Sequence, residues 1–219
     1  MRVPKVWVHA LLIFLLGFGL RIWNMAREPL AYDEMAATLV ASRGLTSYLA
    51  AVPPDFDFCP PVYYLVLRPF AWLGLEAWRL RLLSALVGAA AGILVVAGGR
   101  KFLNGRTATL AGYILALHPL HVYFSQEIQP EVLFSLLTLG GFYFLVQSAE
   151  TNRLRSWVLY DVFAVALLHA MREAIYLVAT FLIVHVARAL FFPLTTDQRR
   201  LHRGRLLQSI AYHYGAILL

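Results

Sequence analysis

Charge is scarce in this sequence: only 14% of its 219 residues are Asp, Glu, Lys or Arg, while 60% are hydrophobic and the mean hydropathy is +0.67. One soluble core does not absorb that much apolar surface, so several runs must sit in lipid. Cysteine is nearly absent. The single Cys59 excludes an internal disulfide, and no Cys/His spacing suggests a zinc site. Acids are also few, 12 against 19 Lys and Arg, which leaves a formal charge of +7. Such an excess often marks a nucleic-acid partner, but here the basic residues fall in short clusters between apolar runs, as the positive-inside rule requires. The basicity is topological, and no nucleic acid is expected.

What is present is a series of apolar runs, each measured against the roughly 20 residues that cross about 30 Å of hydrocarbon. The first, Val6 to Met25, follows a short basic start (Arg2, Lys5) and precedes no convincing small-x-small cleavage site, so it reads as an uncleaved anchor. Arg21, near its far end, can snorkel to the interface. Further spans are expected at Leu80 to Gly98, Thr107 to Phe124, Glu131 to Val146, Trp157 to Met171 and Ala174 to Leu190. A seventh run starts near Leu206 and is cut short at Leu219. The fold class is therefore an all-α polytopic helical bundle of about seven spans, read as one transmembrane module over residues 1–219.

Basic clusters at Arg100-Lys101-Arg106, at Arg153-Arg155, and at Arg188 with Arg199 to Arg205 define the cytoplasmic side. The N-terminus is then cytoplasmic. One segment tests this topology: CPPVYYLVLRPFAWLGL, Cys59 to Leu75, is apolar but interrupted by Arg68-Pro69 and short for a crossing. If it spanned, the Arg100 cluster would face out. It is therefore placed as an amphipathic, half-embedded helix in a first extracytoplasmic loop, residues 26–79, with Tyr63, Tyr64, Phe70 and Trp72 in the interfacial zone.

With that topology the reactive groups gather on one side. The first outer loop carries Glu28, Asp33, Glu34, Asp55, Asp57 and Glu76; the second outer turn holds Gln126, Glu127 and Glu131; the third holds His169, Arg172 and Glu173.

The runs LRIWNMAREPLAYDE, CPPVYYL, RLRLLSALVG and HPLHVYFSQE, in that order, resemble the N-terminal half of GT-C integral-membrane glycosyltransferases of the protein O-mannosyltransferase and aminoarabinose-transferase type. The resemblance covers about Arg21 to Val146 well and the remainder as hydrophobic pattern. It implies transfer of a sugar from a polyprenyl-phosphate donor to a protein or lipid acceptor, with inversion, on the extracytoplasmic side. The short loops point to a bacterial plasma membrane.

The resemblance also implies roles. Asp33 maps onto the general base of an Asp-Glu pair, and Glu34 orients or shares that role. A carboxylate partly desolvated at a membrane surface suits this work, because burial raises its affinity for a proton. Read as residues alone, the pair equally begins an amphipathic helix from Glu34 to Val40, where acids favour the N-terminus. Arg81, before Ser84-Ala85, matches the arginine that binds the departing phosphate, for which a bidentate guanidinium is suited; the alternative is a snorkelling arginine. Glu127, with Gln126 beside it, would face the cavity and bind acceptor, ammonium or a divalent cation. Related enzymes differ in their dependence on a divalent cation, so no metal ligand set is assigned.

His169 and Arg172, with Glu173, lie near the outer ends of two spans as substrate-binding candidates or as a mutually satisfied polar cluster. His169 and Glu173 share a face if the helix continues through them. Two departures from the family weigh on activity. Cys59 stands where a basic residue or His often precedes the Pro pair, and the chain ends inside its seventh run. A non-catalytic subunit that works with a partner chain, or a small transporter gated by Arg172-Glu173, are the alternatives.

Overall fold

The computed structural model describes residues 5–23, 25–26, 29–43, 61–151 and 153–191. Glu28, Asp55, Asp57, Cys59, the basic cluster from Arg199 and the run from Leu206 lie outside them. Among the described residues the structure is all-helical. Nine helices follow in order: α1 Lys5–Ile22, α2 Tyr32–Arg43, α3 Pro61–Trp72, α4 Ala77–Gly99, α5 Gly105–Leu117, α6 Pro119–Phe124, α7 Glu131–Thr151, α8 Leu154–Leu168 and α9 Ala174–Phe191.

Two of these, α4 with 23 residues and α7 with 21, are long and apolar enough to cross a membrane. At 1.5 Å per residue each is about 30 to 35 Å long, the thickness of a hydrocarbon core. Shorter apolar helical stretches run over Trp7–Ile22 and Ala174–Val184.

The chain divides into two compact units, Met1–Leu136 and Leu137–Leu219. In the first, α1, α4 and α5 pack mutually, α3 packs on α2 and α4, and α6 sits against α1 and α5. The inward stripe of α1 is Ala10, Ile13, Gly17 and Arg21, spaced as a 3.6-residue period requires. Its outward face carries Leu11, Leu12, Leu15 and Leu16, all exposed. Such a helix is apolar on the side that faces away from protein, the pattern of a segment solvated by lipid.

Small residues set how closely α1, α4 and α5 approach. Ile13, Val96 and Ala116 form a buried cluster with Tyr113 against it. A Cβ on Gly112 of α5 would lie 2.5 Å from Val96 Cγ2 and 3.1 Å from Ile13 Cδ1, so only glycine admits this packing.

The expected span from Thr107 to Phe124 is two helices. Asn104 caps α5, its side chain accepting from Thr107 N at 2.9 Å. The helix stops at His118, whose backbone is extended (φ −64°, ψ 118°). Pro119 is the cause: its ring disfavours the helical conformation in the residue before it, and proline is well suited to the first position of the next helix, α6.

The second unit is built on aromatics. Phe144 lies 5.3 Å from Phe163, Tyr160 lies 6.5 Å from Phe181, and Trp157 sits edge-on to Tyr160 at 6.4 Å, all between ring centroids. The helix does not continue through His169 to Glu173. It ends at Leu168, with His169 as its C-cap, and α9 starts at Ala174.

Candidate functional site

The site begins with the first turn of α2. Successive residues on a helix are about 100° apart, so Asp33 and Glu34 cannot both face the same way. Asp33 is exposed, whereas Glu34 is 1% exposed. The inward direction belongs to Glu34, Ala37 and Ala41, the stripe that α2 buries.

Glu34 meets Arg81 of α4. Arg81 Nε donates to Oε1 at 2.8 Å and Nη2 to Oε2 at 2.5 Å, the side-on geometry in which a guanidinium matches both carboxylate oxygens. Two backbone amides complete the carboxylate: Ile128 N donates to Oε1 at 2.8 Å and Ala31 N to Oε2 at 3.0 Å. The bond to Ala31 is the reciprocal half of a capping box, a glutamate at the third helical position reaching back to the residue before the helix. Burial pushes the Glu34 carboxyl up, but the hydrogen bonds from Arg81, Ala31 and Ile128, with the Arg81 charge, outweigh it and hold the group below the usual carboxylate range. Glu34 is therefore an anion at neutral pH.

Arg81 is 4% exposed and is engaged on all three nitrogens. Besides Glu34 it donates from Nη1 to Met25 O at 2.8 Å and from Nη2 to Pro29 O at 3.1 Å. One guanidinium thus ties the connection between α1 and α2, the start of α2 and the first turns of α4. Nearby, Gln126 Nε2 donates to Leu20 O at 3.1 Å and to Trp23 O at 2.9 Å, closing carbonyls that the end of α1 leaves open. Glu127, next to it, is half-buried.

Asp33, Glu34, Arg81, Gln126 and Glu127 all lie in the first unit; of these, hydrogen bonds link Glu34 to Arg81 and reach Ile128, one residue from Glu127. His169 and Arg172 belong to the second unit. His169 is half-buried, its Nδ1 donating to Val165 O at 2.9 Å, and Arg172 is exposed. Among the described residues no group of three or more His, Cys, Asp or Glu is arranged to hold a metal ion.

Two features were not legible as site elements. The carbonyls of Met25 and Pro29 and the amide of Ile128 are backbone groups that no side-chain motif announces. Arg21 is the other. Rather than snorkelling it is fully buried, with Nη1 donating to Gly17 O at 2.8 Å and Ala116 O at 3.1 Å and Nη2 to His121 Nδ1 at 2.8 Å. A guanidinium only donates, so His121 accepts at Nδ1 and carries its proton on Nε2, which faces Ser135 Oγ at 3.3 Å. Its place on the α1 stripe with Ile13 and Gly17 was the available clue.

The arrangement can do one chemically useful thing: it fixes an exposed carboxylate beside a buried, fully satisfied one, on a helix start that cannot rotate without breaking the Glu34 bonds. Comparison with curated proteins gives no match. A family model does match, that of the dolichyl-phosphate-mannose-protein mannosyltransferases, over residues 59–216. That span covers most of the chain and includes Arg81, Gln126, Glu127, His169 and Arg172, and it begins downstream of Asp33 and Glu34. With a membrane-embedded, sugar-transferring family matched over this length, and with α4 and α7 able to span, the chain belongs to the dolichyl-phosphate-mannose-protein mannosyltransferase family.

Proposed function

We propose that this chain transfers a sugar from a polyprenyl-phosphate donor to a hydroxyl of a protein or lipid acceptor, at the extracytoplasmic face of a bacterial plasma membrane. The observation that carries this reading is the division within one helical turn: Asp33 outward, Glu34 locked inward on Arg81. Asp33 takes the proton of the acceptor hydroxyl. The oxygen then attacks the anomeric carbon from the side opposite the phosphate, the bond from that carbon to the phosphate oxygen breaks, and polyprenyl phosphate leaves with inversion. Glu34 and Arg81 act as positioning residues that hold the start of α2.

This assigns Arg81 differently from a phosphate ligand. To reach a substrate phosphate its guanidinium would have to leave a carboxylate and two carbonyls. Glu127, half-buried one residue from the Ile128 amide, is assigned to the acceptor side, with Gln126 as the residue that holds the end of α1 in place. His169 and Arg172, in the second unit, are kept as candidate substrate-binding groups. The seven-span topology, with a cytoplasmic N-terminus and α3 in the first outer loop, is part of the same reading.

The test is transfer of labelled sugar from a polyprenyl-phosphate donor by the full chain in proteoliposomes. Asp33→Asn is expected to abolish transfer with the thermal midpoint unchanged. Transfer at the native rate by that variant would overturn the assignment.

A further inference from the structure

Between α3 and α4 the chain makes an elbow that exposes large apolar side chains. Trp72 is 75% exposed and Leu73 65%, and Leu65, Val66, Leu75 and Trp78 are exposed with them. The elbow is nonetheless a fixed shape. Gly74 has φ +138°, a conformation that residues with a Cβ rarely adopt. Into the space its missing side chain leaves, Arg79 folds back to donate to Leu73 O and pair with Glu76 at 3.3 Å. Each tryptophan carries an arginine over its ring: Arg79 on Trp78 at 5.2 Å and Arg68 on Trp72 at 5.7 Å from the ring centroid.

Position says what covers this surface. The elbow runs into the first turn of α4, a helix long enough to span, in a chain of a membrane-embedded family. The residues that enter a spanning helix lie at the level of the lipid headgroups. Tryptophan paired with arginine is the composition that this layer favours, the ring among the upper acyl carbons and the cation at phosphate height.

We propose that the elbow from Trp72 to Trp78, with Arg68, is a headgroup anchor: Trp72, Leu73 and Leu75 enter the acyl boundary and Arg68 binds the phosphate of a surrounding phospholipid. Arg79, latched to Glu76 and Leu73, holds the shape rather than the lipid. The anchor sets the height of the Glu34–Arg81 knot, because Arg81 follows Arg79 by two residues on the same helix. It rests on membership of a membrane family and not on the assignment of Asp33, so a failed depth measurement and a failed transfer assay are separate results.

The single cysteine makes the test direct. Cys59→Ser with Leu73→Cys, and separately with Leu75→Cys, in the full chain, take a nitroxide label and are reconstituted in vesicles of phosphatidylethanolamine and phosphatidylglycerol. Oxygen, which concentrates in lipid, is expected to collide with both labels more than about twice as often as a water-soluble nickel chelate does, the mark of a site below the headgroup plane. Arg68→Glu in the same background is expected to move both labels toward water, and Arg68→Lys to restore most of the depth. Chelate collisions equal to those of a label on a water-exposed loop would overturn the anchor. Unchanged depth in Arg68→Glu would overturn the phosphate contact.

Discussion

Arg81 and Glu34, 47 positions apart in the chain, meet through two parallel hydrogen bonds of 2.8 and 2.5 Å, with both side chains buried. A buried ion pair is a poor source of net stability but a strong constraint, since removing one partner strands the other charge. The constraint here falls on the helix that carries Asp33.

Glu34→Gln or Arg81→Met alone is therefore expected to cost about 3 to 5 kcal/mol, read as a lower thermal midpoint in detergent. The double variant should recover much of the loss, because neither charge is then left buried. A double variant as unstable as the sum of the singles would show that the pair does not act as a unit.

Acid should loosen the same knot. The Glu34 carboxyl is held below its unfolded value, so its stabilisation is complete above about pH 4.3 and is lost as pH falls through the lower folded value. The thermal midpoint should drop with acidification over that window. Glu34→Gln should lack this component, which midpoints measured at several pH values would reveal.

Gly74→Val forces a β-branched residue to φ +138° and displaces Arg79 and Glu76. The expected cost is about 1 to 3 kcal/mol, measured by thermal unfolding, accompanied by a change in tryptophan emission as Arg79 leaves the Trp78 ring.

His121→Phe removes the acceptor of Arg21 Nη2 and leaves a buried donor unsatisfied, at an expected cost of about 1 to 3 kcal/mol. His121→Asn, which keeps an acceptor at similar reach, should lose less. Equal midpoints for the two variants would mean that the hydrogen bond contributes nothing.

Much of this architecture was readable from residue spacing. The apolar runs located α4, α7 and α9. The Arg68-Pro69 pair does not interrupt α3, which carries Pro69 inside it and ends at Trp72. Pro119 was a visible reason to split the Thr107 to Phe124 run, since the residue before a proline avoids the helical conformation. In α2, small Ala37 and Ala41 at three and seven residues from Glu34 already marked the inward stripe, which leaves Asp33 pointing elsewhere. What spacing could not supply was the partner of Glu34. Arg81 suited both a phosphate and a carboxylate, and only the approach of three segments in space shows that it meets the Glu34 carboxylate together with the Met25 and Pro29 carbonyls.

The buried Arg21 has a consequence for how the chain is made. Its acceptors at Ala116 and His121 are synthesised 95 and 100 residues after it, so α1 leaves the ribosome carrying a cation whose distant partners do not yet exist. Until α5 and α6 arrive, the Gly17 carbonyl within α1 itself is the one of these acceptors already made. The contacts that bury Arg21 are thus complete only once α5 and α6 have packed against α1.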